Sequence, residues 1–373
     1  MTLTSGSPAS VGLSEERLER ALALIEGEVR AGHLPAAAVL VARRGVIVAH
    51  RAWGRLSVSE DSPPCQPDTV FLVASVTKPV TCAAVLLLVE RGQVALSDAV
   101  ADLVPEFAAN GKEGVQIRHL LTHTSGLPDM LPENEALRAA HQPLEEFIRR
   151  TCALPLDFPP GTQVRYQSMG MAMLGEIVHR LSGIPLAEFL RREILEPLGM
   201  ASTSLGVRPH LLPRLAEVNL PPEARQTDWH WNSPYWRNFG APWGGMFSTV
   251  QDLAVFLQTF LNGGHYGGKQ VFSRSTVEAM IANQTALLPD LPAEVKLRSP
   301  WGLGWWLNGP HSARYYGDLL SPRAFGHGGA TGTVVWADPA TELLGVLFTT
   351  QPGGPRGAGF ARFCNAVAGS VVE

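Results

Sequence analysis

Ser75 and Lys78 are three residues apart in the segment Ser75-Val76-Thr77-Lys78. A serine hydroxyl is a weak nucleophile until a neighbouring base takes its proton. On a helix, residues i and i+3 share a face, so the Lys78 amine is expected beside the Ser75 hydroxyl. Burial lowers the pKa of a lysine and lets it act as that base. The alternative is a capped helix whose lysine is exposed, because a Ser-x-x-Lys pattern also arises by chance.

Two further segments could complete such a site. Tyr166 follows a Pro-Pro-Gly turn and precedes a helical pattern, a place from which a phenol can relay protons; a tyrosine in the core is the alternative. His327, Gly328, Gly329 and Ala330 begin a strand near the C-terminus, where glycines let a backbone N–H approach a bound oxyanion. For His327, a purely structural role is the alternative.

The pattern around these residues predicts the elements that hold them. Apolar residues recur at helical spacing from Ser75 to the stop at Gly92, and Ser14 is expected to cap a helix that runs to Arg30. Strand patterns concentrate at the two ends of the chain and helical ones in the middle. We list the other expected helices at 117–121, 144–151, 169–181, 186–195, 250–262 and 357–368, and the expected strands at 37–42, 46–53, 303–307, 324–328, 333–337 and 343–349.

This distribution predicts an α+β fold with an antiparallel sheet built from both termini and flanked by helices. We expect residues 1–70 and 265–373 to form an α/β lobe with the central sheet. Residues 71–264 are expected to form a mostly helical second lobe that carries the nucleophile helix. The active site is then expected in the cleft between the two lobes.

These motifs resemble those of the serine β-lactamase-like superfamily, in particular its branch of class C β-lactamases, family VIII carboxylesterases and D-aminopeptidases. Ser75-x-x-Lys78 is similar to the first motif of that superfamily, Tyr166-x-Ser168 to the second and His327-Gly328-Gly329 to the third. The resemblance implies the β-lactamase-like fold, with Ser75 as nucleophile and with Lys78 and Tyr166 sharing the general base and acid roles. It also implies an oxyanion hole made of the backbone N–H groups of Ser75 and Ala330, and no cofactor or metal.

Three positions in two motifs depart from the family pattern and bear on the substrate. Ser168 stands where lactamases usually have asparagine. His327 stands where they have the lysine that holds a substrate carboxylate, and Gly328 stands where they have a hydroxyl residue. A neutral His327 supplies less charge but could still donate a hydrogen bond. These departures from the family pattern therefore favour ester substrates. The residues expected to bind substrate are Ser168, His327, Gly328, Gly329, Trp236 and Trp243.

The two tryptophans belong to an aromatic cluster between residues 229 and 243, which is expected either to cover an acyl pocket or to pack between the lobes. His123 and Ser125 lie in a loop that we expect to brace the helical lobe. Of Trp305 and Trp306, one is expected to face the core and the other the rim of the cleft.

The composition narrows the possible partners. The chain has 373 residues, 17% of them charged, and a formal net charge of -4, with no basic cluster that could hold a nucleic acid. No segment is long enough to span a membrane, the start of the chain shows no signal-peptide pattern, and the four cysteines form no CxxC pair. We therefore expect a cytoplasmic protein that acts on a small-molecule ester or amide. The oligomeric state stays open.

Three functions remain at this point. The first is a carboxylesterase acting on short-chain or small acyl esters, with weak or no β-lactamase activity. The second is a D-amino-acid amidase or peptidase, or a β-lactamase. The third is a non-catalytic ligand-binding module with the same fold. The presence of Ser75, Lys78 and Tyr166 together favours an enzyme, a serine hydrolase that forms an acyl-enzyme.

Overall fold

The computed structural model describes residues 2–309, 316–355 and 359–373. The strands are β1 (Thr4–Ser5), β2 (Ala36–Arg43), β3 (Val46–Gly54), β4 (Phe71–Leu72), β5 (Ser204–Leu205), β6 (Met246–Ser248), β7 (His265–Tyr266), β8 (Lys269–Gln270), β9 (Trp306–Leu307), β10 (Phe325–Gly329), β11 (Thr333–Asp338) and β12 (Leu343–Thr349). The helices are α1 (Glu15–Arg30), α2 (Thr77–Glu90), α3 (Val100–Leu103), α4 (Ile117–Leu121), α5 (Asn134–Ala139), α6 (Leu144–Ala153), α7 (Met169–Ser182), α8 (Leu186–Leu190), α9 (Glu196–Leu198), α10 (Pro222–Arg225), α11 (Pro234–Phe239), α12 (Val250–Leu261), α13 (Arg274–Ile281), α14 (Ala293–Arg298) and α15 (Gly359–Ala368).

Within the described residues the main sheet has seven strands in the order β1-β3-β2-β12-β11-β10-β9, so the two ends of the chain meet where β2 pairs with β12. Successive side chains of a strand point to opposite faces of its sheet. On β2, Val39 and Val41 belong to one buried cluster, while Leu40 and Ala42 belong to the other. Helices α1 and α15 cover the first face, and α12 packs on the second. This burial on both faces explains why β2 is apolar throughout.

The sheet confirms the expected fold class with one difference at its edge. Every pairing is antiparallel except that of the two-residue strand β1, which runs parallel to β3. Residues 4 and 5 are exposed and carry no alternating apolar pattern, so the sequence contained no signal for this strand. The sheet is therefore mixed.

Helix α2 passes through the interior of the helical region. All of its residues from Thr77 to Leu88 are buried, and it packs against α7 and α8. A helix that is apolar on every side is typical of a protein core. Its N-terminus follows the short strand β4, which pairs with β6 in a second, three-stranded sheet. The strand β6, far from α2 in sequence, thereby helps to hold the start of α2 in place.

Most of the expected elements are present at nearly the expected positions. Ser14 caps α1 through its side chain, and β2 and β3 form the expected hairpin. The strand expected over 303–307 is shortened to β9, because Gly304 has a φ of +85°, outside the range of a strand. The last helix is described from Gly359 onward, and the expected residues Gly357 and Ala358 lie outside the described residues.

The division into two lobes stays a prediction. All seven strands of the main sheet lie in the segments assigned to the α/β lobe, whereas α12, which covers one face of this sheet, lies in the segment assigned to the helical lobe. Among the described helices, none is both long and apolar enough to cross a membrane.

Candidate active site

Ser75 lies in a single 3₁₀ turn, Ala74–Val76, between β4 and α2. Ala74, the residue before it, has a φ of +46°, a strained backbone conformation for a residue with a side chain. Hydrogen bonds hold this turn: the Val73 N–H donates to the Met246 carbonyl at 3.0 Å, and the Thr77 hydroxyl donates to the Ala74 carbonyl at 2.6 Å. The sharp turn therefore places Ser75 at the head of the buried helix α2.

The turn between β10 and β11 is fastened to the same segment. Thr331 donates its hydroxyl hydrogen to the Leu72 carbonyl at 2.6 Å, and Thr333 donates to the Val73 carbonyl at 2.9 Å. Gly329 approaches so closely that a Cβ there would lie 2.3 Å from the Val73 carbonyl oxygen. Ala330 follows and is exposed; within the described residues its N–H donates to no backbone oxygen. An unused backbone N–H thus lies near the nucleophile turn, as an oxyanion hole requires.

Lys78 is fully buried beside Ser75. Its Nζ lies 3.1 Å from the Ser75 Oγ and donates to the Trp243 carbonyl at 2.9 Å. Burial lowers the pKa of Lys78 to about 7, although the Asp129 carboxylate opposes this shift. A large part of the Lys78 population is therefore a neutral amine near neutral pH, and a neutral amine can accept the Ser75 proton.

Tyr166 faces this amine from another part of the chain. The Lys78 Nζ lies 4.5 Å from the centre of the Tyr166 ring, and the ring also packs against His123 and Trp301, with centroid distances of 4.7 and 6.0 Å. The next residue, Gln167, anchors the loop: its N–H donates to His123 Nδ1 at 3.2 Å, and its side-chain oxygen accepts from Ser125 at 2.5 Å. The loop that contains His123 and Ser125 thus supports the Tyr166 loop.

His327 lies on β10 on the other side of Tyr166. The two ring centroids are 6.0 Å apart. Its Nδ1 lies 2.7 Å from the carbonyl oxygen of Gly328. Burial and the nearby charge of Lys78 lower the pKa of His327 to about 3, so the imidazole is neutral at physiological pH.

A cavity of about 450 Å³ joins several of these groups. Its walls bring residues of the second and third motifs together with two tryptophans, Trp301 and Trp306, the second of which begins β9. Its lining residues are Val164, Tyr166, Ser299, Trp301, Trp306, His327, Gly328, Gly329, Ala330 and Gly353. A larger groove, of about 800 Å³, is lined by α11 and neighbouring segments but by none of the candidate catalytic groups. We therefore place the candidate site at the smaller cavity. Ser75 and Lys78 are not among its described lining residues, but Lys78 contacts the ring of Tyr166, which is.

The remaining candidate substrate-binding residues have other contacts. The Ser168 hydroxyl donates to Asp129 Oδ1 at 2.7 Å. Trp243 contributes its carbonyl to Lys78, and its ring packs in a buried cluster with Phe147 and Phe239. Trp236 also packs on Phe239, and neither tryptophan lines the cavity. A direct role of Ser168, Trp236 and Trp243 in substrate binding stays a prediction.

The sequence analysis missed some residues that shape the site. Asp129 is exposed and raises the Lys78 pKa against the effect of burial, and Trp301 packs on both His123 and Tyr166. Neither residue lies in a recognisable motif, so only the fold shows their place. Trp305 is buried and Trp306 lines the cavity, which confirms the expected alternation of these two side chains.

Comparison with known proteins identifies the family of this chain. The β-lactamase family model matches residues 21–366. The fold and the match together define a serine β-lactamase-like hydrolase. The chain belongs to the β-lactamase family.

The proteins that this chain resembles are named for several different activities. A protein of Escherichia coli O157:H7, provisionally named a D-alanyl-D-alanine carboxypeptidase, is 30% identical over 95% of this chain and 86% of its own length. A penicillin-binding protein homologue from Caulobacter crescentus superposes with a TM-score of 0.80 and 25% identity, covering 96% of this chain and 99% of its own. A family VIII carboxylesterase superposes with a TM-score of 0.77 and 23% identity over 95% of this chain and 98% of its own, which shows the shared fold.

Proposed function

We propose that the protein is a carboxylesterase that cleaves short-chain or small acyl esters through an acyl-enzyme at Ser75. The observation that carries the proposal is the 3.1 Å contact between the Ser75 hydroxyl and the buried Lys78 amine, whose pKa burial lowers to about 7. Among the described residues, the printed polar contacts of the Lys78 amine are the Ser75 hydroxyl and the Trp243 carbonyl, and neither is a carboxylate that would hold the amine in its charged form.

The proposed reaction begins when Lys78 takes the Ser75 proton and the Ser75 oxygen attacks the ester carbonyl. Negative charge then develops on the carbonyl oxygen, where the backbone N–H groups of Ser75 and Ala330 stabilise it. The alcohol leaves with a proton supplied through Tyr166 and Lys78. A water molecule, deprotonated by the same groups, then attacks the acyl carbon. The bond to the Ser75 oxygen breaks, the carboxylic acid leaves, and the proton taken from water returns to the Ser75 oxygen.

Two features favour esters over amides and β-lactams. His327 is neutral, so it offers no charge to the carboxylate that β-lactams and D-alanyl peptides carry. Ser168 has no side-chain amide, and its hydroxyl already donates to Asp129. An alcohol is also a better leaving group than an amine, so ester cleavage demands less from the proton donor.

A D-amino-acid amidase or peptidase, or a β-lactamase, is the second candidate function. It is favoured by the name of the Escherichia coli relative and by the exposed Asp129 carboxylate beside Ser168, which could attract the ammonium group of an amino-acid amide. A ligand-binding module without catalysis is the third candidate, and the lowered Lys78 pKa argues against it.

A substrate panel separates these candidates. We expect turnover of p-nitrophenyl acetate and butyrate, slower cleavage of D-alanine p-nitroanilide and of nitrocefin, and loss of ester turnover in Ser75→Ala. Ser10→Ala, at an exposed serine of the N-terminal segment, is the matched control and should keep full activity. Faster cleavage of the anilide or of nitrocefin would replace the proposal with the second candidate. Folded protein that cleaves none of the panel would favour the third.

We also propose that the protein is located in the cytoplasm. All four cysteines are buried and unpaired, as is common in a reducing compartment.

A further inference from the structure

The contact between His327 and Gly328 fixes which ring nitrogen carries hydrogen. A carbonyl oxygen can only accept a hydrogen bond, so the Nδ1 atom, 2.7 Å from the Gly328 oxygen, must be the donor. Because the ring is neutral, the other nitrogen, Nε2, then has no hydrogen and presents a lone pair. This differs from the sequence expectation that His327 could donate a hydrogen bond: the Nδ1 hydrogen is already used by the protein backbone.

This lone pair has no donor within the described part of the chain. The Nε2 atom of His327 is buried and makes no hydrogen bond there. A buried polar atom that makes no hydrogen bond destabilises the folded protein. His327 is one of the residues that line the 450 Å³ cavity, together with Tyr166 and Trp301, and its ring centroid is 6.0 Å from that of each. A hydrogen-bond donor of a bound molecule in this cavity could satisfy Nε2.

The walls of the cavity favour a neutral donor over an anion. Among the residues that the structure describes in this lining, none is lysine or arginine. The nearby His123 is also neutral, because its Nδ1 accepts from the Gln167 N–H and burial lowers its pKa well below the usual value. A carboxylate placed against His327 would lose its hydration, find no lysine or arginine among the described lining residues and face a lone pair.

We propose that His327 selects substrates with a hydroxyl or carboxamide donor on the leaving alcohol and rejects those with a carboxylate there. The inference rests on the proposed ester cleavage at Ser75. It concerns the leaving-group side because Tyr166, the proposed route of the proton to that group, lines the same cavity as His327. His327 thus presents a hydrogen-bond acceptor where a lysine would present a positively charged donor.

Two nearly isosteric esters test this selection. The substrates are the 3-carbamoylphenyl and 3-carboxyphenyl esters of N-(phenylacetyl)glycine, which differ only in the group offered to His327. We expect kcat/KM for the carbamoyl ester to exceed that for the carboxy ester by about tenfold or more, the equivalent of about 1.4 kcal/mol. His327→Lys should reverse or abolish this preference. His265→Lys, which adds the same charge at an exposed histidine outside the cavity, should leave it unchanged.

Equal rates for the two esters, faster cleavage of the carboxy ester, or an unchanged ratio in a folded His327→Lys protein would each overturn the inference while leaving ester cleavage intact. If His327→Lys does not fold, the wild-type ratio decides.

A second measurement needs no turnover. The ring ¹⁵N signals of His327 should show hydrogen on Nδ1 and none on Nε2 at neutral pH. The Nε2 signal should shift with 3-hydroxybenzamide and respond far less to 3-hydroxybenzoate. If neither ester is cleaved, the proposed function fails and these signals alone decide the inference. Hydrogen on Nε2, or stronger binding of the benzoate, would overturn it.

Discussion

The pH dependence of ester cleavage is the most informative consequence of the Lys78 environment. Burial lowers the Lys78 pKa from 10.5 to about 7, a preference for the neutral amine on the order of 5 kcal/mol. At pH 7 about half of the molecules then hold a neutral amine, whereas an unshifted lysine would be neutral in about one molecule in 3,000. We expect kcat/KM to rise about tenfold per pH unit below pH 7 and to level off above it.

The substitution Asp129→Asn tests whether the pKa of Lys78 sets this pH dependence. The Asp129 carboxylate raises the Lys78 pKa, so its removal should lower that pKa further. Because Asp129 is exposed, we assign its interaction about 0.5–1 kcal/mol. At 1.36 kcal/mol per unit, the inflection should move down by about 0.4–0.7 pH units. Asparagine retains an oxygen that can accept from Ser168, so that hydrogen bond can persist.

The assay is kcat/KM for p-nitrophenyl acetate from pH 5 to 9, recorded at the isosbestic wavelength of p-nitrophenol. Asp61→Asn removes an exposed carboxylate from a surface turn and serves as the control, whose inflection should match that of the wild type. An inflection above pH 9 in the wild type, or an upward movement in Asp129→Asn, would refute the argument that burial of Lys78 produces the base.

Three further predictions concern single residues. Tyr166→Phe should lower kcat by about 10²–10⁴-fold with little change in melting temperature, because it removes a proton relay. Gly329→Ala should lower kcat/KM by about 10²-fold, because its methyl group would press on the Val73 carbonyl and displace the adjacent Ala330 N–H. Asp252 is buried, and burial raises its pKa to about 6. The unfolded carboxyl ionises near pH 4 and the folded one only near pH 6, so stability falls as the pH rises through this window; Asp252→Asn should remove this loss, about 3 kcal/mol at most.

Each of these predictions has a result that contradicts it. Unchanged kcat in Tyr166→Phe would remove the phenol from the proton path. Unchanged kcat/KM in Gly329→Ala would mean that the nucleophile turn and β10 can separate without affecting the oxyanion hole. For Asp252, chemical denaturation of wild type and variant between pH 4 and 8 is the measurement, and parallel stability curves would show that the carboxyl titrates normally.

The sequence predicted the parts of the site that depend on local spacing. The three-residue interval between Ser75 and Lys78 has a meaning only on a helix, and the apolar pattern that follows indicated that helix. In the same way, the apolar run of β2 and the turn before β3 predicted the hairpin, and strand patterns at both ends of the chain predicted a shared sheet. All of these signals lie within a few residues of what they predict.

Other features depend on residues that are far apart in sequence. The hydrogen bonds from Thr331 and Thr333 to residues 72 and 73 span about 260 positions and leave no local pattern. The effect of Asp129 on Lys78 arises only through the fold. The hydrogen on the Nδ1 atom of His327 depends on a side-chain rotamer that places this atom beside one carbonyl. The sequence shows that residue 327 is a histidine, but it does not show which ring nitrogen carries the hydrogen.

Covalent trapping tests the central claim most directly. The protein is treated with a fluorophosphonate at pH 8, and intact mass followed by peptide mapping locates the adduct. We expect one adduct per chain, on Ser75, with labelling lost in Ser75→Ala and slowed in Lys78→Met. An adduct on a different serine, or labelling of Lys78→Met at the wild-type rate, would contradict the account of a hydroxyl activated by its buried amine neighbour.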